Sequence, residues 1–174
     1  MTASGGSPAD SPGYDVREHY TKYEYRIPMR DGVRLFTSVL VPKDTSTTYP
    51  ILLTRTPFGV SPYGVDEQGG FSLQSEALLR AGYIFVRQDV RGRLMSEGTF
   101  THVTPHRPEK PTSADVDEQS VMQSSVEWLL RHVRHHTGPR GLSGISYGGF
   151  FTAPRMFGPH PAISAPSHTA PAPR

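Results

Sequence analysis

Between Tyr23 and Val41 the chain alternates apolar and polar residues. Tyr23, Tyr25 and Ile27 fall at every second position, as do Val33, Leu35, Thr37, Val39 and Val41. Arg30-Asp31-Gly32 separates the two runs, and Asp-Gly between period-2 segments is the strongest short-range signal for a β-hairpin. Two shorter apolar runs, Pro50-Ile51-Leu52-Leu53-Thr54 and Tyr83-Ile84-Phe85-Val86, have the length and β-branched content of buried strands. Between them Leu73, Ala77 and Leu78 share one face of a helix that Ser72 can cap and Gly82 can close.

The clearest helical period comes later, with Met122, Val126, Leu129, Leu130 and Val133 forming one apolar stripe. It predicts a helix from about Asp115 to Val133. Asp115, Asp117 and Glu118 stand at its positive end, and Arg131, Arg134 and the nearby histidines at its negative end, as the helix dipole favours. From Val90 to Ala114 no period persists, and the glycines and prolines there predict a long loop of the kind that often binds or covers a site. Arg140-Gly141-Leu142-Ser143 reads as a short strand. Strand, helix, strand, loop, helix, strand is the rhythm of α/β architecture: a parallel sheet with helices on its faces, led by an antiparallel hairpin. Three regions are expected: a disordered polar tail over residues 1–20, a folded domain over 21–158, and a poorly ordered Pro-rich end over 159–174.

Composition narrows the function. The 174 residues carry 18 Lys plus Arg against 16 Asp plus Glu, a formal charge of +2, which gives no drive toward nucleic acid. With no Cys, thiol catalysis, disulfides and Cys-ligated zinc or iron-sulfur clusters are excluded for this chain. No run of 18 apolar residues exists, so no membrane helix is expected. The N-terminus lacks the basic and apolar regions of a secretory signal, and the expected location is cytoplasmic.

Gly144-Ile145-Ser146-Tyr147-Gly148 matches G-x-S-x-G. In that pattern a sharp strand-to-helix turn lifts a serine oxygen above the carboxyl edge of a sheet, and small residues at both ends avoid the neighbouring backbone. Ser146 is then the candidate nucleophile, and the N–H of Tyr147 a candidate oxyanion donor. The competing reading is a glycine-rich turn without chemistry.

Five stretches, in order, now carry a resemblance: Ile27 to Leu35 (IPMRDGVRL), Leu53 to Gly59 (LTRTPFG), Gln88 to Arg93 with Ser96-Glu97-Gly98, Glu127-Trp128-Leu129, and Gly144 to Phe150. From about residue 20 onward the chain resembles the N-terminal part of the alpha/beta-hydrolase family of Xaa-Pro dipeptidyl-peptidases, cocaine esterase, glutaryl acylases and alpha-amino acid ester hydrolases. The resemblance implies an alpha/beta-hydrolase fold, here incomplete, with Ser146 as acyl-accepting nucleophile in a nucleophile elbow and Tyr147 N–H in the oxyanion hole. It implies a small ester, amide or short peptide substrate, and no cofactor or metal.

Two departures stand out. Relatives place a tyrosine hydroxyl after the Thr-Pro or Asn-Pro pair as second oxyanion donor, whereas this chain has Phe58, which can line an acyl pocket or serve as a core aromatic. In this fold the acid and the histidine follow the serine, yet after Ser146 there is no Asp or Glu; the candidate bases are His160 and His168, each expected to be a solvent-exposed histidine without a role, since the family's histidine comes far downstream of either. Six prolines fall in the last 21 residues, and Pro154 would break a continuing nucleophile helix. The expectation is therefore a serine hydrolase by family, truncated and inactive as the 174-residue chain alone; the alternative is a noncatalytic remnant that binds a partner or small acyl compound, or has no activity. The resemblance also groups Asp89, Arg91 and Arg93 as an internal ion-pair network. His132 and His136 have the i, i+4 spacing of a zinc helix, but Val133 stands where the general-base glutamate of H-E-x-x-H would be, so a charged helix end is the expectation.

Overall fold

The computed structural model describes residues 14–67, 76–102, 104–145 and 165–169. A short helix α1 (Val16–His19) leads into β1 (Tyr20–Pro28), β2 (Arg34–Pro42), β3 (Tyr49–Thr56), α2 (Glu76–Arg80), β4 (Ile84–Asp89), α3 (Glu118–His132), β5 (His136–Ile145) and β6 (Ala165–Thr169). The six strands form one sheet in the order β1-β2-β4-β3-β5-β6. β1 and β2 pair antiparallel along their whole length, β2 runs antiparallel to β4, and β3, β4, β5 and β6 are mutually parallel where they pair.

The expected hairpin forms where the Asp-Gly signal sits. Gly32 takes φ +85°, its N–H donates to Met29 O, and Met29 N–H donates to Val33 O. A side chain at that φ would be strained, which is why glycine suits the turn. β5 is longer than the expected 140–143. Its register against β3 slips between Tyr49 and Ile51 and again between Ile51 and Leu52, around Pro139. Proline has no N–H for the ladder, so a strand that contains one accommodates it at an irregularity.

α3 packs its apolar stripe on one sheet face, where Val121, Met122, Val126 and Leu129 meet Ile27, Leu35, Val39, Ile51, Leu53, Ile84 and Val86 in one buried cluster. Its start differs from the sequence reading: Asp117, not Asp115, caps the helix, in a reciprocal capping box with Ser120. On the other face a smaller cluster joins Tyr20, Leu40, Leu79 and Phe85.

Tyr14 through His19 lie inside the tail expected over 1–20, yet Tyr14 and Tyr20 hydroxyls both donate to Leu79 O, and Asp15 caps α1. Residues 165–169 of the Pro-rich end run parallel to β5 as β6. The helix expected from Leu73 is described from Glu76, its earlier residues lying outside the described ones. Among the described residues no helix is long and apolar enough to cross a membrane.

Candidate active site

Parallel strands end together, and their carboxyl ends meet on one edge. Thr54 of β3 lies opposite Ser143 of β5, two residues before each strand ends. Thr56 of β3 lies opposite Asp89, the last residue of β4. β3 is flanked by β4 on one side and β5 on the other, so this edge is the point where the strand order reverses, the usual ligand position in open α/β sheets. Ser146 and Tyr147 follow Ile145 directly in sequence and lie outside the described residues.

The loops that leave β3 and β4 here are tied together by buried polar groups. Asp89 is fully buried; its carboxylate accepts Val60 N–H and the Tyr63 hydroxyl, each at 3.0 Å, and more weakly Met95 N–H. Burial pushes the Asp89 carboxyl up from the ordinary carboxylate range, against the pull of these donors and of the Arg87 charge. Burial and the hydrogen bond to Asp89 push the Tyr63 phenol up to about 12. Ser96 adds a second tie, accepting Phe36 N–H and donating to Asp89 O. From β1, the buried Lys22 ammonium donates to the carbonyls of Pro62, Gly64 and Glu67 at 2.7–2.8 Å and pairs with Glu24, which accepts Gly64 N–H.

The expected grouping of Asp89, Arg91 and Arg93 is corrected by these contacts. Arg91 pairs with Asp31 of the hairpin turn, while Arg93 donates to Pro57 O and lies over the Phe100 ring. Asp89 instead binds backbone N–H groups and a phenol, so three separate ties replace one network. None of this was legible in the sequence beyond Asp89 itself; Lys22, Glu24 and Tyr63 carry no period or motif that marks them.

Phe58 is 74% exposed, which removes the reading of it as a core aromatic. Val65, Leu94 and Met95 are also exposed large apolar residues, and all four project from the loops after β3 and β4. Leu94 holds φ +50°, and its side chain occupies the space a Cβ on Gly59 would need. The carboxyl edge thus carries an apolar rim on a hydrogen-bonded base.

Beneath it, Arg55 of β3 forms a buried ion pair with Glu118 at 2.8 Å and donates to Gln88, whose amide donates to Thr37 and Ser125. Glu118, expected only to complement the helix dipole, has this specific partner. Asp117 accepts the N–H groups of Ser120 and Arg107 and meets Lys110 and His106. Its burial, which alone would raise the pKa, is outweighed by those donors, and the pKa falls to about 2.

The zinc-helix spacing dissolves because α3 ends at His132 and His136 begins β5. Each ring is engaged by a backbone carbonyl, His132 Nδ1 with Trp128 O and His136 Nε2 with Leu130 O. Among the described residues no cluster of three or more His, Asp or Glu is placed to hold a metal ion.

A mixed α/β sheet with flanking helices and loops gathered at its switch point defines a broad class of enzyme folds. Within it, the model of the X-Pro dipeptidyl-peptidase (S15) family matches residues 31–169, and the chain belongs to that family. By family it is classed with the serine hydrolases. Cocaine esterase of Rhodococcus sp. (strain MB1 Bresler) is 35% identical over 126 residues, 71% of this chain and 19% of that protein. Among solved structures, an aminopeptidase from a marine sediment Thaumarchaeota archaeon aligns over 95% of this chain with a TM-score of 0.72 and 31% identity. An alpha-amino acid ester hydrolase aligns over 94% with a TM-score of 0.72 and 32% identity. The chain spans about a fifth of the length of the curated relative, and 27% and 28% of the two solved chains.

Proposed function

We propose that this chain contributes the nucleophile and one wall of the acyl site of an alpha/beta-hydrolase that cleaves a small ester, amide or short peptide. Ser146 Oγ bonds to the substrate carbonyl carbon as its proton leaves to a base. The alcohol or amine departs, and water then releases the acyl group from Ser146. Residues 144–148 form the nucleophile elbow, the N–H of Tyr147 donates to the oxyanion, and Phe58 lines the acyl side together with Leu94 and Met95. The observation that carries this reading is the strand order: β5 ends one residue before Ser146, beside the β3 end that leads to Phe58, at the switch point of the sheet. The names of the relatives, an esterase, an aminopeptidase and an amino acid ester hydrolase, support acyl transfer to water on substrates of this kind. No metal or cofactor enters the scheme.

A second reading rests on Phe58, which brings no hydroxyl to the oxyanion. Losing one oxyanion donor costs about 2.7–4 kcal/mol of transition-state stabilisation. On that reading the chain binds an acyl compound or partner without turning it over. Hydrolysis of p-nitrophenyl acetate by the 174-residue protein and by Ser146→Ala separates the two. Turnover that disappears with Ser146→Ala supports the hydrolase; a rate equal in both proteins supports the noncatalytic reading.

A further inference from the structure

At the opposite end of the sheet, a cleft of about 400 Å³ opens between the β1–β2 hairpin and the carboxyl end of α3. β3 alone separates it from the carboxyl edge by eight residues, about 25 Å at the rise of a strand. One wall is aromatic. Tyr23 stacks on Tyr25 at 6.2 Å, Tyr25 meets Trp128 at 4.9 Å, and Trp128 stacks on His132 at 4.1 Å. Tyr23, Tyr25 and His132 line the cleft itself.

The charged lining groups, Lys43 and Arg134, are both cationic. Lys43, Arg134 and His135 face the cleft, and no carboxylate is among the described residues that line it. Lys43 Nζ donates to Arg17 O, and neither Lys43 nor Arg134 has a carboxylate partner among the described residues. A helix carboxyl end would normally add negative character here. In this chain the carbonyls of that last turn are already occupied: Trp128 O by His132 Nδ1, Leu129 O by Val133 N–H, and Leu130 O by His136 Nε2. Lys43 and Arg134 thus stand beside a ring-lined wall with no carboxylate among the residues that line the cleft. His135 holds φ +57° at the lip, fixed by Tyr49 N–H donating to its carbonyl. Non-glycine residues held in that region concentrate at ligand sites.

We propose that this cleft binds a small planar organic anion, its ring against the tyrosine wall and its charge on Lys43 and Arg134. The site is independent of Ser146 and of the hydrolase reading.

Trp128 is the single tryptophan of the chain and touches two lining residues, so its emission reports occupancy directly. The probe is benzenesulfonate, whose charge does not change with pH, compared with neutral benzenesulfonamide and with ringless sulfate. Benzenesulfonate should change Trp128 emission saturably, with a Kd on the order of 1 mM for a ligand of this size. Both comparison compounds should bind more weakly. Lys43→Gln and Arg134→Gln should each raise the Kd about 3- to 5-fold with unchanged far-UV circular dichroism, as expected for exposed charge pairs. Ser146→Ala should bind like the parent. An absent or unsaturable response, equal binding of the sulfonamide, or indifference to both cation substitutions would overturn the proposal.

Discussion

α3 and the loops at the carboxyl edge lie against the same sheet, but they are held by opposite means. Four apolar residues of α3 sink into a continuous cluster with aliphatic side chains of four strands, and the helix position follows from area removed from water. The loops after β3 and β4 bury Val60 and Val90 but expose the larger set Phe58, Val65, Leu94 and Met95. Their shape comes from Asp89, Lys22, Glu24 and Ser96, each buried or nearly so and each satisfied by backbone groups. Apolar burial has no direction, whereas a buried hydrogen bond fixes an atom to within a fraction of an ångström. The difference shows how an edge can present an apolar rim to a substrate without collapsing onto it.

The largest effect is expected where the two regimes meet, at the buried Arg55–Glu118 pair. Glu118→Ala takes a carboxylate away from the buried Arg55 guanidinium and should lower stability by about 3–5 kcal/mol in urea unfolding. Adding Arg55→Met should recover much of that loss, and a double variant no better than the single one would remove the pair from the account. Leu129→Ala, within the apolar layer, should cost about 2–5 kcal/mol through lost transfer and a cavity.

Lys22→Met should act locally. Removing the ammonium strands three carbonyls and takes the cation from Glu24, so amide exchange over residues 60–67 should accelerate while α3 amides keep their protection. Equal acceleration in both regions would mean that the loops and the helix layer are one cooperative unit.

A smaller effect separates the regions by pH. Asp117 has a folded pKa lowered to about 2, so its contribution to stability is fully present above the unfolded value of 3.8 and is lost as pH falls from there through about 2. Asp89 has a raised folded pKa, chiefly from burial, so its protonated form favours the fold; its contribution is present below 3.8 and is lost as pH rises through the folded value. Asp117→Asn should flatten the acid limb of the stability profile, and Asp89→Asn should flatten the limb above pH 4. Least of all, Phe58→Ala should change stability by no more than about 0.5 kcal/mol, because the ring is exposed.

The same division governs what the sequence discloses. Period-2 alternation and Asp31-Gly32 locate β1, β2 and their turn, and the 3.6 stripe locates α3, because burial on one face imposes a period. The extent of β5 escapes, since Gly138 and Pro139 read as breakers while the sheet tolerates them at a register slip. At the site, G-x-S-x-G and Phe58 are legible as a motif and a departure from it. Lys22, Glu24 and Tyr63 are not, because a side chain that reaches a backbone carbonyl forty residues away leaves no local pattern. The misgrouping of Asp89 with Arg91 and Arg93 has the same origin: neighbours in sequence on a turn point to different partners.

Everything proposed for the carboxyl edge turns on Ser146. Treating the purified 174-residue protein with a fluorophosphonate and mapping the adduct by mass spectrometry tests it most directly, since trypsin releases Ser146 within the peptide of residues 141–155. The account predicts a slow adduct, at most one per chain, on that peptide and absent in Ser146→Ala. No adduct on the parent protein, or the same adduct in Ser146→Ala, would contradict it.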